Sequence, residues 1–127
     1  MRKRNARGHI FNISGTPGLY LEASSLPLGM YGPSKYGLRA LGIALRHEIA
    51  MAKLNIKVTT ISPGFVQSDI LADLYACWKL PIEPLLKDED IAETVIRVLG
   101  TSETVELAEI LILPQGMGSN VILPITD

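Results

Sequence analysis

Short runs of β-forming residues alternate with longer helical periods along this chain, and that alternation constrains its fold more than any other feature. His9–Ser14 (HIFNIS) and Ile56–Ser62 (IKVTTIS) are rich in β-formers and bounded by turn residues, which predicts two strands. Between them Leu38, Leu41, Leu45 and Ile49 recur at steps of three and four, which predicts a helix over Tyr31–Lys53, ended by Asn55. Glycines at 37 and 42 lower its helix propensity and suit close packing against a neighbour. Asp88–Leu99 opens with acidic residues and sets Ile91, Val95 and Val98 on one face, the pattern of a capped amphipathic helix. Leu107–Leu113 (LAEILIL) is nearly all apolar and is expected to be a strand buried on both faces. Strand, helix, strand, helix, strand is the order of a parallel α/β sheet. Three strands alone leave two edges to be paired, so the pattern reads as half of a larger sheet.

Composition narrows the class. At 127 residues the chain is long enough for one modest core; 47% hydrophobic and 20% charged residues argue against disorder. A net charge of -1 gives no drive toward nucleic acid or an anionic membrane, so no nucleic-acid partner is expected. No apolar stretch reaches the roughly 18 residues of a membrane span. Cys77 is the one cysteine, which excludes an internal disulfide and makes a reducing, cytoplasmic setting the default. No residue cluster suggests a metal site. The basic start (Arg2, Lys3, Arg4, Arg7) suits a nucleic-acid patch or a targeting arm, but reads better as a solvated helix end stopped by Gly8.

Tyr31-Gly32-Pro33-Ser34-Lys35 carries the chemistry. Four residues apart at a helix start, the two side chains stack on one face. An ammonium beside a phenol favours the phenolate, so the tyrosine pKa, about 10 when free, is expected to fall. Such a tyrosine can serve as general acid or base toward a substrate oxygen. Pro33, in the first turn, loses only an N–H that has no helical partner.

Four pieces in order then carry a likeness: Gly8–Ser14, Tyr31-x-x-x-Lys35, Ile61-Ser62-Pro63-Gly64-Phe65-Val66-x-Ser68, and the Asp90-Ile91-Ala92 helix with its following strand. Together they resemble the short-chain dehydrogenases/reductases, and over almost the whole chain, up to about Leu113. The phrasing of "ALRHEI", "ISPGFVQSD" and "EDIAETVIRVL" is most similar to the insect farnesol dehydrogenase-like proteins and the related member 11 group. The resemblance implies a single partial domain over 1–127, the carboxyl-terminal half of a doubly wound Rossmann-type sheet. It implies hydride transfer between NAD or NADP, with NADP favoured, and an alcohol, ketone or aldehyde. Tyr31 would move the proton, and Lys35 would hold the nicotinamide ribose. Pro63, Gly64, Val66 and Ser68 would border the cofactor. Residues 65–87 would form a substrate lid, whose Ile70, Leu71, Leu74, Tyr75 and Trp78 suit an apolar substrate or simply pack a short helix. The helix at 31–53 would join copies into a homo-oligomer, and 114–127 would be an extended tail.

Two departures accompany the likeness. The family's catalytic serine falls on Gly15, with Ser14 and Thr16 flanking it as possible substitutes. Neighbours on an extended chain point to opposite sides, so neither replaces it freely. The family's Gly-rich phosphate turn, its ribose selector and its relay asparagine have no counterpart in this sequence. A non-catalytic remnant acting through association is therefore the alternative. A Ser-Lys hydrolase on Ser34–Lys35 or Ser14 has no oxyanion or acyl-binding signature to support it.

Overall fold

A computed structural model describes residues 7–20, 28–78 and 84–117 of the chain. Strand β1 (Gly8–Ile13) leads through a short 3-10 turn (Thr16–Gly18) to helix α1 (Tyr31–Met51). Strand β2 (Ile56–Pro63), helices α2 (Asp69–Trp78) and α3 (Asp88–Leu99) and strand β3 (Glu109–Ile112) follow. The expected alternation holds, and α2 is the short helix that the residues of the predicted lid allow, close to Ser68–Lys79. The three strands form one parallel sheet in the order β1-β2-β3. The sheet and its helices are those of a Rossmann-type half.

Register decides which side chains share a face. Asn12 pairs with Thr60, and both face α1, where a Cβ on Gly42 would stand 2.7 Å from Thr60 Oγ1 and 3.1 Å from Asn12 Nδ2. His9 pairs with Lys57 on the opposite face. There Lys57 Nζ donates to Thr101 Oγ1 (3.2 Å) and the Ser102 carbonyl (2.7 Å), just after α3. The two helices thus attach to opposite faces, as a doubly wound sheet requires. Val58, Thr59, Thr60, Ile61 and Ser62 of the central strand are all buried.

Each helix has a local cause. At α3 the Asp90 carboxylate accepts the Lys87 backbone N–H at 2.8 Å, satisfying one orphan donor, and Val98 of the predicted face is buried. The end of α1 differs from expectation. Lys53, at φ 49, takes the left-handed position, with Lys53 N–H donating to Ala50 and Leu54 N–H to Ile49. The helix therefore ends at Met51 in a Schellman turn, two residues short of the expected Lys53. Of the predicted α1 stripe, Leu38, Leu45 and Ile49 are half-buried, whereas Leu41 is 51% exposed. The inward face runs instead through the buried Gly32 and Gly42.

Strand β3 corrects the largest expectation. It spans four residues that alternate exposed and half-buried, and it is an edge of the described sheet, not a strand covered on both faces. Ahead of it, side chains replace backbone partners. Glu106 Oε1 accepts the Val58 N–H at 3.0 Å, and Arg46 Nη2 donates to the Val58 and Ala108 carbonyls at 3.1 and 3.2 Å. Arg46 and Glu106 also pair at 3.0 Å, so this ion pair serves where Leu107 would have extended the ladder. The readings for residues 1–6, 21–27, 79–83 and 118–127, including most of the basic start and of the tail, lie outside the described residues.

Candidate active site

The carboxyl ends of β1 and β2 and the start of α1 meet at one corner of the sheet. The Ser14 N–H continues the ladder to the Ile61 carbonyl at 2.7 Å, which sets the chain leaving β1 beside the end of β2. Tyr31 opens α1 there, its N–H donating to the Leu28 carbonyl at 3.0 Å. Pro33 sits in the first turn, as expected, and the Ser34 hydroxyl donates to the Tyr31 carbonyl at 2.7 Å. That bond commits Ser34 to the helix start.

Lys35 is fixed at both ends. Its ammonium donates to the Ile13 carbonyl at 3.2 Å and lies over the Tyr31 ring, 5.3 Å from the centroid. Its carbonyl accepts the Ser14 hydroxyl at 3.3 Å. Ser14 is only 5% exposed, and its oxygen points at the helix backbone. It therefore does not stand in for the missing serine. Gly18 completes this seat: a Cβ there would stand 2.7 Å from Ser14 Oγ and 3.0 Å from the Lys35 carbonyl oxygen.

Gly15 takes the opposite side, as alternation along an extended chain demands. A Cβ built on it would lie 3.6 Å from the Tyr31 hydroxyl and 3.9 Å from the Pro63 carbonyl oxygen. Position 15 thus borders the phenol directly. Thr16 opens the 3-10 turn, its carbonyl accepting from Leu19 and Tyr20.

The electrostatics correct one expectation. Burial raises the Tyr31 pKa above its ordinary value. The ammonium is held against the ring face and the Ile13 carbonyl, and desolvation of the phenolate decides the direction. Tyr31 is consequently a neutral phenol through the neutral range.

Of the remaining predicted residues, Pro63 reaches this corner through its carbonyl. Gly64 turns away from it: a Cβ there would meet Pro114 Cδ at 3.0 Å and Met117 Sδ at 3.2 Å, so the segment after β3 covers that turn. Val66 bridges Leu86, and exposed Ser68 precedes α2, its carbonyl accepting the Ala72 N–H at 3.0 Å. The structure brings Ser14, Gly15, Gly18, Tyr31, Lys35 and Pro63 together, with Val66 and Ser68 further along the same segment. The Ile13 carbonyl went unnoticed in the sequence because a backbone acceptor carries no residue signature. Gly18 had a signal, its three-residue spacing from Gly15. Among the described residues no group of three or more His, Cys, Asp or Glu could hold a metal ion. No described helix is long and apolar enough to cross a membrane.

No family model matches the chain. Curated relatives do. It is 38% identical over 120 residues to farnesol dehydrogenase of Aedes aegypti, covering 91% of this chain and 46% of the relative. It is 35% identical over 124 residues to dehydrogenase/reductase SDR family member 11 of Homo sapiens, covering 90% and 46%. The closed form of serine dehydrogenase complexed with NADP+ shares its fold with a TM-score of 0.68 at 25% identity, over 91% of this chain and 47% of that one. The chain spans about half the length of the curated relatives it matches.

Proposed function

Because this chain belongs to the short-chain dehydrogenase/reductase family, matching the carboxyl-terminal half of its members' fold, we propose that it supplies the proton-donating, substrate-facing half of an NAD(P)-dependent oxidoreductase. One observation carries the reading. The Tyr31 hydroxyl stands at the carboxyl edge of the sheet, beside Pro63, with the Lys35 ammonium fixed across its ring. Ligands of doubly wound sheets bind at that edge.

In the reducing direction the nicotinamide, when bound, would supply the hydride that reaches the carbonyl carbon. Tyr31 Oη gives its proton to the carbonyl oxygen and, in the reverse direction, takes it from the alcohol. Its raised pKa keeps the phenol protonated and ready to donate. Lys35 has three N–H donors, and its bond to Ile13 is solvent-exposed, so the ammonium can also reach ribose hydroxyls. In donor type these residues fit the nicotinamide end of the cofactor. Pro63, Val66 and Ser68, with the backbone of Gly64, would border the carboxamide, and the cofactor is NADP or NAD, as solved neighbours with either one bound suggest. The substrate is an apolar alcohol, ketone or aldehyde, received by the 65–87 segment.

The test joins this chain to the amino-terminal half of the Aedes aegypti relative and follows NADPH consumption with an apolar aldehyde. Turnover is expected, and Tyr31→Phe should lower it by about 10²–10⁴-fold. An unchanged rate in Tyr31→Phe overturns the proton role.

A second reading, association without catalysis, draws on Gly15 in place of a serine and on the outward side of α1. Leu41 is 51% exposed there, and open space lies over Gly37. On this reading the 31–53 helix joins two copies, and Leu41→Glu should convert a dimer to monomer in sedimentation.

A further inference from the structure

Resting on the carbonyl-reduction reading above, we propose that the space over Gly15 receives a hydroxyl carried by the substrate itself. The substrates are then α-hydroxy ketones or aldehydes and the 1,2-diols they form.

Glycine at position 15 is required neither by conformation nor by crowding. Its backbone is extended, at φ 176 and ψ 164, which any residue adopts. A Cβ would meet Pro17 Cδ at 3.4 Å, Tyr31 Oη at 3.6 Å and the Pro63 carbonyl oxygen at 3.9 Å, all ordinary contacts. Gly18 and Gly42 differ, since a Cβ at either would come within 2.7 Å of a neighbouring oxygen. What glycine supplies at 15 is room beside the phenol.

The borders of that room select its occupant. Tyr31 offers a hydroxyl that donates or accepts, Pro63 offers only an acceptor, and Pro17 offers an apolar wall. A hydroxyl there can donate to the Pro63 carbonyl, which leaves the single Tyr31 proton for the reacting oxygen. A carbonyl or carboxylate oxygen would face the Pro63 lone pairs without a proton to share. A methyl group would leave the Pro63 carbonyl without a donor. Tyr31 must also reach the reacting oxygen, so the second hydroxyl belongs on the adjacent carbon. The substrate then brings the hydroxyl that the protein lacks at position 15.

The experiment titrates the full chain with 3-hydroxy-2-butanone and with 2-butanone, followed by amide NMR shifts at Gly15 and Gly18, in wild type and Gly15→Ser. One net hydrogen bond predicts roughly fivefold tighter binding of the hydroxyketone to wild type. Gly15→Ser, which fills the room, should equalise the two ligands. Equal affinity in wild type overturns the proposal and points to water in that place. So does a preference that survives Gly15→Ser, or binding of neither ketone at the solubility limit. A second arm measures NADPH-dependent reduction of both ketones by the joined enzyme described above. Tyr31-dependent turnover without preference removes this inference and leaves the oxidoreductase reading standing. A binding preference without Tyr31-dependent turnover of either ketone removes that reading and leaves the hydroxyl site.

Discussion

The Ser14 hydroxyl donates to the Lys35 carbonyl at 3.3 Å, while the Lys35 ammonium reaches back to the carbonyl of Ile13. Strand end and helix start are thereby tied twice through one lysine. Gly18 lets them approach, so Gly18→Ala should cost about 1–3 kcal/mol in urea unfolding, the usual penalty of overpacking. In a Ser14→Ala background the penalty should shrink but persist. The oxygen at 2.7 Å is gone, whereas the Lys35 backbone at 3.0 Å remains. Full additivity in this double-mutant cycle would contradict the packing described.

Two glycines of α1 should respond in opposite directions to the same substitution. Nothing lies within 4 Å of a Cβ at Gly37, so Gly37→Ala should gain about 0.5–1 kcal/mol from helix propensity. At Gly42 that gain opposes a clash with Thr60, whose Oγ1 would lie at 2.7 Å and which is 2% exposed. Overpacking wins, for a net loss of up to about 2 kcal/mol. Thermal unfolding of the two variants reads both signs, and a stabilised Gly42→Ala would show that α1 sits further from the sheet.

Arg46 should matter beyond its charge. It serves the Val58 and Ala108 carbonyls as well as Glu106, just where the β2–β3 ladder begins with the Thr60 N–H to Ala108 bond and Val58 takes a side-chain partner instead. Arg46→Ala should cost about 1–3 kcal/mol, and Arg46→Lys most of that, since a single ammonium lacks the planar fork by which Nε and Nη2 reach separated acceptors. Amide exchange should quicken first at Val58. Equal stability of the lysine variant would reduce the contact to simple charge pairing.

The raised Tyr31 pKa sets a sign in alkaline solution. The folded state holds the phenolic proton to higher pH than the unfolded chain. This stabilisation is therefore complete below about pH 10 and is lost as pH rises through the folded-state value. Tyr31→Phe should flatten that alkaline loss in urea midpoints. Phenolate absorbance of wild type minus variant should titrate above 10, and a midpoint below 10 would restore the lysine-depressed tyrosine that the spacing alone suggests.

What the sequence disclosed follows the range of its signals. Periodicity located α3 to the residue and α1 to within two, because amphipathic spacing and acidic first turns are local. Tyr31 and Lys35 were legible as a pair for the same reason. Their electrostatics were not, since the partial burial of the phenol arises only in the folded chain and the Ile13 carbonyl that holds the ammonium lies 22 residues before Lys35. Leu107 to Leu113 misled because an apolar run looks alike at the centre and at the edge of a sheet. Only Glu106 and Arg46, reaching across from other elements, show where the pairing begins.

The segment between Val66 and Leu86 closes at a narrow neck. Leu86 N–H donates to the Phe65 carbonyl and Gln67 N–H to the Leu86 carbonyl, both at 2.8 Å. Everything between leaves and returns through two hydrogen bonds adjoining the Pro63-Gly64 turn. Loop length adds little to the cost of such a closure. The excursion is accordingly a cassette: its sequence and length can change at small cost to the neck, and on the function proposed above such a change would alter what reaches the corner, while Tyr31, Lys35 and the strand ends keep their places.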